Sequence, residues 1–254
     1  MWSDVKRAYA DSAAFVFALP LVAGVPFAVE LIQHAVEVNV GMFDSYASAE
    51  AVADNAARSA VGIVKVLSLF LITYFVIRFI GFGRDRRQAA VVTRTSATLF
   101  GAVMLFSIAM MVVQRVGGTL LGQWVTEPTQ LLATGTFSLF ALMLVESYLA
   151  GWKSAAALGN PDVTVPVSAR VMHPRLFRSF GFTLVMMMPL MIIHYALNVA
   201  AIGLPTGAMW AILVVDSAVA AFLGIVLAAT IYRIAYRAAG DAGISLAGGV
   251  VAPA

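Results

Sequence analysis

Cysteine is absent from all 254 residues, which excludes disulfides, thiolate metal sites, iron–sulfur clusters and cysteine nucleophiles, and leaves the redox compartment unreadable. Charge is scarce as well. Asp, Glu, Lys and Arg together make up 11% of the chain, where an ordinary soluble domain carries about 25%. Also missing are a Walker loop, a G-x-S-x-G elbow, a dinucleotide fingerprint and a TVGYG-type filter, so an ATP-driven pump acting alone is excluded. What is present instead is apolar: 61% of residues are hydrophobic and the mean hydropathy is +0.92. That composition belongs to a membrane protein.

Apolar runs near the roughly 20 residues needed to cross a bilayer occur at Ala13–His34, Val61–Ile80, Ser96–Val113, Leu131–Ala150, Phe180–Ile202 and Gly207–Ile231. These predict an all-α, polytopic protein of six transmembrane helices, forming a single domain over residues 1–254. They occupy about half the chain and leave no room for a separate soluble domain. The first run is too long for a signal-peptide core, so it is read as a span and not as a cleaved leader.

Orientation follows from the sixteen Lys and Arg. With the N-terminus in the cytoplasm and the chain alternating across each span, Lys6, Arg7, Arg78, Arg84, Arg86, Arg87, Arg94, Lys153, Arg170, Arg175, Arg178, Arg233 and Arg237 fall inside, and only Arg58, Lys65 and Arg115 fall outside. Positive loops resist translocation, so both termini are expected in the cytoplasm and the protein in the cell inner membrane. The net charge is +3, but its one dense run, Arg84-Asp85-Arg86-Arg87, directly follows an apolar span. Anionic lipid headgroups of the bilayer are the expected partner there, and nucleic acid is not.

Three connections are legible. Asp44 and Ser45 precede good helix formers from Tyr46 to Ala53, which predicts a short surface helix in the outer loop. Asn160-Pro161 and the β-branched stretch Val163–Val167 predict extended chain in an inner loop. Arg175-Leu176-Phe177-Arg178 reads as an interfacial approach to the fifth span.

Ionisable groups at membrane depth are expensive and mark functional candidates. Those present are Glu30, His34, Glu37, Lys65, Glu146, His194 and Asp216. The fifth and sixth spans are joined by the short Gly203–Thr206 turn, so they are antiparallel neighbours. Reflection about Pro205 sets His194 and Asp216 at one depth, roughly 12 Å below the outer end, and predicts that they pair. Such a pair serves either as a proton relay or ligand site, or as a polar clamp between helices.

On the first span, Glu30, His34 and Glu37 share one stripe at i, i+4, i+7, and Lys65 on the second span matches Glu30 in depth, predicting an interhelical ion pair. Glu30, His34, Glu37, His194 and Asp216 are ligand types for a divalent metal; the alternative is a helix end emerging into water. Met187, Met191, His194 and Asn198 line one face of the fifth span, a set that would suit Cu(I), although methionine also simply fills gaps. Pro20, Pro26 and Pro189 predict kinks beside these polar groups. Glu146, alone in the inner half, is expected to be protonated or bonded to Ser147, Tyr148 or a facing helix. The two histidines His34 and His194 are placed at different depths, too far apart to share a haem.

Six spans, cytoplasmic termini and the closing run Ile231-Tyr232-Arg233-Ile234-Ala235-Tyr236-Arg237 resemble the bacterial six-helix membrane proteins grouped with the membrane domain of glycerophosphoryl diester phosphodiesterases. The resemblance implies a role linked to the cell envelope or to lipid and assigns no residue. It carries no phosphodiesterase activity, because the catalytic barrel of such enzymes has no counterpart here.

The expected function is therefore transport or handling of a small solute, ion or lipid through an outer-facing polar cavity formed by Glu30, His34, Glu37, Lys65, His194, Asn198 and Asp216, with no catalytic residue assigned. Protonation of the His194–Asp216 pair would bias a kinked helix. Two alternatives stay open: an intramembrane metal-dependent enzyme using the same donors, and a structural subunit that assembles with a membrane-protein partner. The halves of the chain show no sequence echo of an inverted repeat.

Overall fold

The computed structural model describes residues 2–125 and 127–247. Every regular element among them is helical. In chain order these are α1 (Trp2–Ala18), α2 (Pro20–Asn39), α3 (Tyr46–Ala51), α4 (Ala56–Gly81), α5 (Arg86–Ala90), α6 (Arg94–Trp124), α7 (Pro128–Leu158), α8 (Val165–Met172), a 3₁₀ turn at His173–Arg175, α9 (Leu176–Ala201) and α10 (Thr206–Asp241). Six stretches are long and apolar enough to cross a bilayer: α2, α4, α6, α7, α8 running on into α9, and α10. The chain is thus compatible with a multi-pass integral membrane protein.

The helices differ from the apolar runs in instructive ways. The expected first span, Ala13–His34, is two helices, because Pro20 disfavours the helical conformation in the residue before it. Leu19 accordingly leaves the α region, at φ −133° and ψ 59°, so Pro20 starts a new helix and does not merely kink an old one. Pro26 and Pro189, by contrast, lie inside continuous helices. Near Pro189, the Tyr9 hydroxyl donates to the Met186 carbonyl at 3.2 Å. Most helices also outrun their apolar cores, as with α6 and its 31 residues. Helix propensity carries on through polar residues where hydropathy stops.

The predicted surface helix forms as α3, capped by Ser45 Oγ accepting from Ser48 N. The extended chain expected over Val163–Val167 is corrected. Val165–Met172 is helical, with Pro166 in its first turn, where a missing N–H costs nothing.

The chain divides into two compact units. One comprises α1 to α5 with residues 182–230; the other comprises residues 91–181 and the chain from 231 onward. In the first unit, Arg84 of the α4–α5 turn pairs with the buried Asp11 of α1 at 2.6 Å, and Gly224 of α10 lets that helix approach Leu69 of α4. In the second, Gly151 of α7 admits Ser168 of α8, whose hydroxyl donates to the Tyr148 carbonyl at 2.6 Å. The polar residues of interest concentrate in the first unit.

Candidate functional site

The site begins with how α2 stops. Gly41 takes φ 79°, and the Gly41 and Met42 amides donate back to Val38 and Glu37 carbonyls. This left-handed ending lets α2 run to Asn39 and turns the chain sharply over its own end. Phe43 is thereby buried against Ala201, Met209 and Leu213. Its carbonyl accepts from Gly203 N at 2.8 Å, tying this turn to the α9–α10 turn, and its ring stands 6.1 Å from that of His34.

Beneath this turn, α2 and α4 run antiparallel and form two ion pairs. Lys65 Nζ lies 2.6 Å from the Glu30 carboxylate, the partnership expected from matched depth. Seven residues on along α2 and seven back along α4, Arg58 Nε donates to Glu37 Oε1 at 2.9 Å. Residues seven apart return to the same helical face, so the first pair implied the second. Arg58 was nevertheless missed in the sequence, although that signal was available. It is held in place by Ala53 O and by its position in the first turn of α4, whose cap is Asn55.

Asp216 of α10 collects the remaining residues. Its Oδ1 lies 2.7 Å from His194 Nδ1, the predicted pair, and its Oδ2 accepts from Asn198 Nδ2 at 2.8 Å. The same Oδ2 lies 2.9 Å from His34 Nε2, while His34 Nδ1 lies 2.9 Å from Glu37 Oε2. Gln33 Nε2 also donates to Glu37 Oε1, at 3.0 Å. One connected array therefore runs Arg58, Glu37, His34, Asp216, His194 across α2, α4, α9 and α10. The assignment of His34 and His194 to different depths is overturned: both reach one carboxylate. The error came from taking His34 as the end of the helix when α2 continues past it.

A neutral imidazole has one N–H, and His34 faces a carboxylate oxygen at each ring nitrogen. Both contacts are satisfied only when the array holds one proton beyond the neutral ring. Charge accounting agrees. Glu30, Glu37 and Asp216 bring three negative charges against Lys65 and Arg58, leaving one to be compensated.

A cavity of about 390 Å³ opens onto the array, lined by Glu30, Gln33, His34, Glu37, Arg58, Lys65, His194 and Asn198 among others. Burial is graded across it. Asp216 is 0% exposed, Glu30 and Glu37 2%, whereas Lys65 and Arg58 are 24% and 31% exposed. Glu30 and Glu37 thus lie deep in the cavity and the cations at its rim, while Asp216, expected to be a cavity residue, is fully buried and not among the residues that line it. One ligand atom from each of Glu30, His194 and Asp216 lies within 4.8 Å of the others. Of the five donors expected to be able to hold a metal, these three converge, while Glu37 is turned to Arg58 and His34. Met187 and Met191, expected as part of a Cu(I) face, are not among the residues that line the cavity.

Glu146 belongs to the other unit and is corrected. It is neither bonded to Ser147 or Tyr148 nor paired across helices; it ion-pairs with Lys153, seven residues on in α7. Ser147 instead donates to Met143 O, and Tyr148 bonds His173 Nδ1 at 2.8 Å. No known protein family, curated protein or solved structure matches this chain.

Proposed function

We propose that this is a multi-pass protein of the cell inner membrane, both termini cytoplasmic, that takes a small cation from the outer aqueous side into the cavity above Asp216. One observation carries the reading: three buried carboxylates meet two side-chain cations that are both displaced to the rim, and the third positive charge is a proton on the His34-centred array that an incoming cation can replace. A low-dielectric cleft with acids at its base concentrates positive charge there, and the rim cations hold the acids apart until an incoming ion competes for them. Handling of this cation, as transport or as capture, is the function inferred.

The test uses purified full-length chain in lipid vesicles loaded with ion-reporting dyes. Wild type should accumulate a cation above empty vesicles, and Asp216→Asn should reduce the rate about tenfold or more while eluting as wild type does on size exclusion. Equal rates for the two proteins overturn the reading. A second reading, a helix clamp without cargo, draws on the observation that Asp216 is bonded from both α2 and α9; it is addressed by the apolar replacement described below.

A further inference from the structure

The geometry points to a divalent transition-metal site formed by Glu30 and His194, which line this cavity, together with the fully buried Asp216. The inference rests on the cation reading and names the ion. The donors are one imidazole and two carboxylates, drawn from three different helices, and a nitrogen–oxygen set without sulfur suits borderline ions such as Zn²⁺, Mn²⁺ or Co²⁺. Ligand atoms of a tetrahedral zinc site lie roughly 3.3 Å apart. The present outer limit is 4.8 Å, so metal binding would draw the donors inward and replace the His194 Nδ1–Asp216 Oδ1 hydrogen bond.

Several surroundings fit a metal. Asp216 is oriented through its other oxygen by His34, which is held in turn by Glu37, the layered support found around metal ligands. Gln33 Oε1, on the wall of the same cavity, is buried and has no hydrogen-bond partner among the described residues. A hard oxygen acceptor left without a partner in the cavity wall is available to a bound water. With three protein ligands, a fourth position would remain for water or substrate, the arrangement by which metals act on bound molecules.

Lys65 decides whether the site fills. Its ammonium lies 2.6 and 2.8 Å from the two Glu30 oxygens, so an entering metal must displace it. At 24% exposure the flexible lysine can swing into the cavity mouth, and the displaced charge offsets that of the metal. Removing Lys65 should therefore strengthen metal binding, while loss of the His194 imidazole, which carries no negative charge, should weaken it, a combination that a general acidic patch would not show.

The experiment titrates Co²⁺ alone into chelator-treated, detergent-purified full-length protein, following visible d–d absorption, with Zn²⁺ as competitor. Wild type is expected to take up one equivalent. His194→Ala and Glu30→Gln should each weaken binding about tenfold or more, and Lys65→Gln should tighten it by a similar factor. His173→Ala, in the other unit, should change nothing. All variants are compared as monodisperse material of wild-type helicity.

Absence of stoichiometric uptake by wild type overturns the assignment, as does binding that His173→Ala abolishes and His194→Ala spares, or weaker binding in Lys65→Gln. If wild type binds no cobalt or zinc yet still accumulates cation in vesicles in an Asp216-dependent way, the metal assignment falls and the cation reading stands. Binding lost in His194→Ala, with no accumulation in vesicles, keeps the metal site and removes the transport reading.

Discussion

Asp216→Ala is the substitution that most directly measures what the buried array contributes to stability. The side chain is fully buried and accepts from Asn198 while facing His34 and His194 at 2.9 and 2.7 Å. Interhelical hydrogen bonds in membranes average about 0.6 kcal/mol each, so three lost contacts set a lower figure near 2 kcal/mol. Leaving the proton-bearing His34 without its carboxylate raises this toward the 3–5 kcal/mol seen when one member of a buried charged network is removed. The expected destabilisation is therefore about 2–5 kcal/mol. Asp216→Asn, which keeps one acceptor and the side-chain volume, should cost about 1 kcal/mol.

The assay is reversible unfolding in mixed micelles, read by helicity and by aromatic fluorescence. Replacing His34, His194 and Asp216 together by leucine should recover most of the loss, because a well-packed apolar cluster can be as stable as the polar one. If Asp216→Ala unfolds within about 0.5 kcal/mol of wild type, the array does not hold α2, α9 and α10 together there. If the triple leucine protein also matches wild type in cation accumulation, the site has only the clamp role.

Two further predictions concern the frame of the site. Gly41→Ala places a Cβ 2.9 Å from Asp44 Oδ2 at a φ of 79°, and should cost about 1–2 kcal/mol in the same unfolding assay; Gly41→Asn, which tolerates that conformation better, should cost less. Gly224→Ala drives a Cβ into Leu69 Cδ2, the movable end of a side chain, and should cost about 1–3 kcal/mol. Combining Gly224→Ala with Leu69→Ala should cost less than the sum of the two single changes.

Hydropathy alone located all six membrane-length helices, since the requirement for some twenty apolar residues is local to each stretch. Two pairings were legible for a related reason. His194–Asp216 follows from a short turn that makes α9 and α10 mirror each other in depth, and Glu30–Lys65 follows from counting inward from the ends of α2 and α4. Depth is one-dimensional, and sequence separation measures it directly.

The tertiary structure decided what depends on helix ends and helix rotation. Hydropathy does not mark where a helix stops, so the extension of α2 to Asn39, and with it the arrival of His34 at Asp216, came from the Gly41 turn. The break at Leu19 reflects the steric demand of Pro20 on its predecessor; Pro26 and Pro189 make the same demand, yet α2 and α9 continue through them, so the sequence alone did not tell which proline would end a helix. The Glu146–Lys153 pair within α7 was legible by the same seven-residue spacing that links Arg58 to Lys65, but the apolar run ends at Ala150, short of Lys153. The identity of the ionisable residues was thus written in the sequence, but their meeting at one carboxylate required the packing of α2, α4, α9 and α10, because burial of charge is favourable only where several helices supply its partners at once.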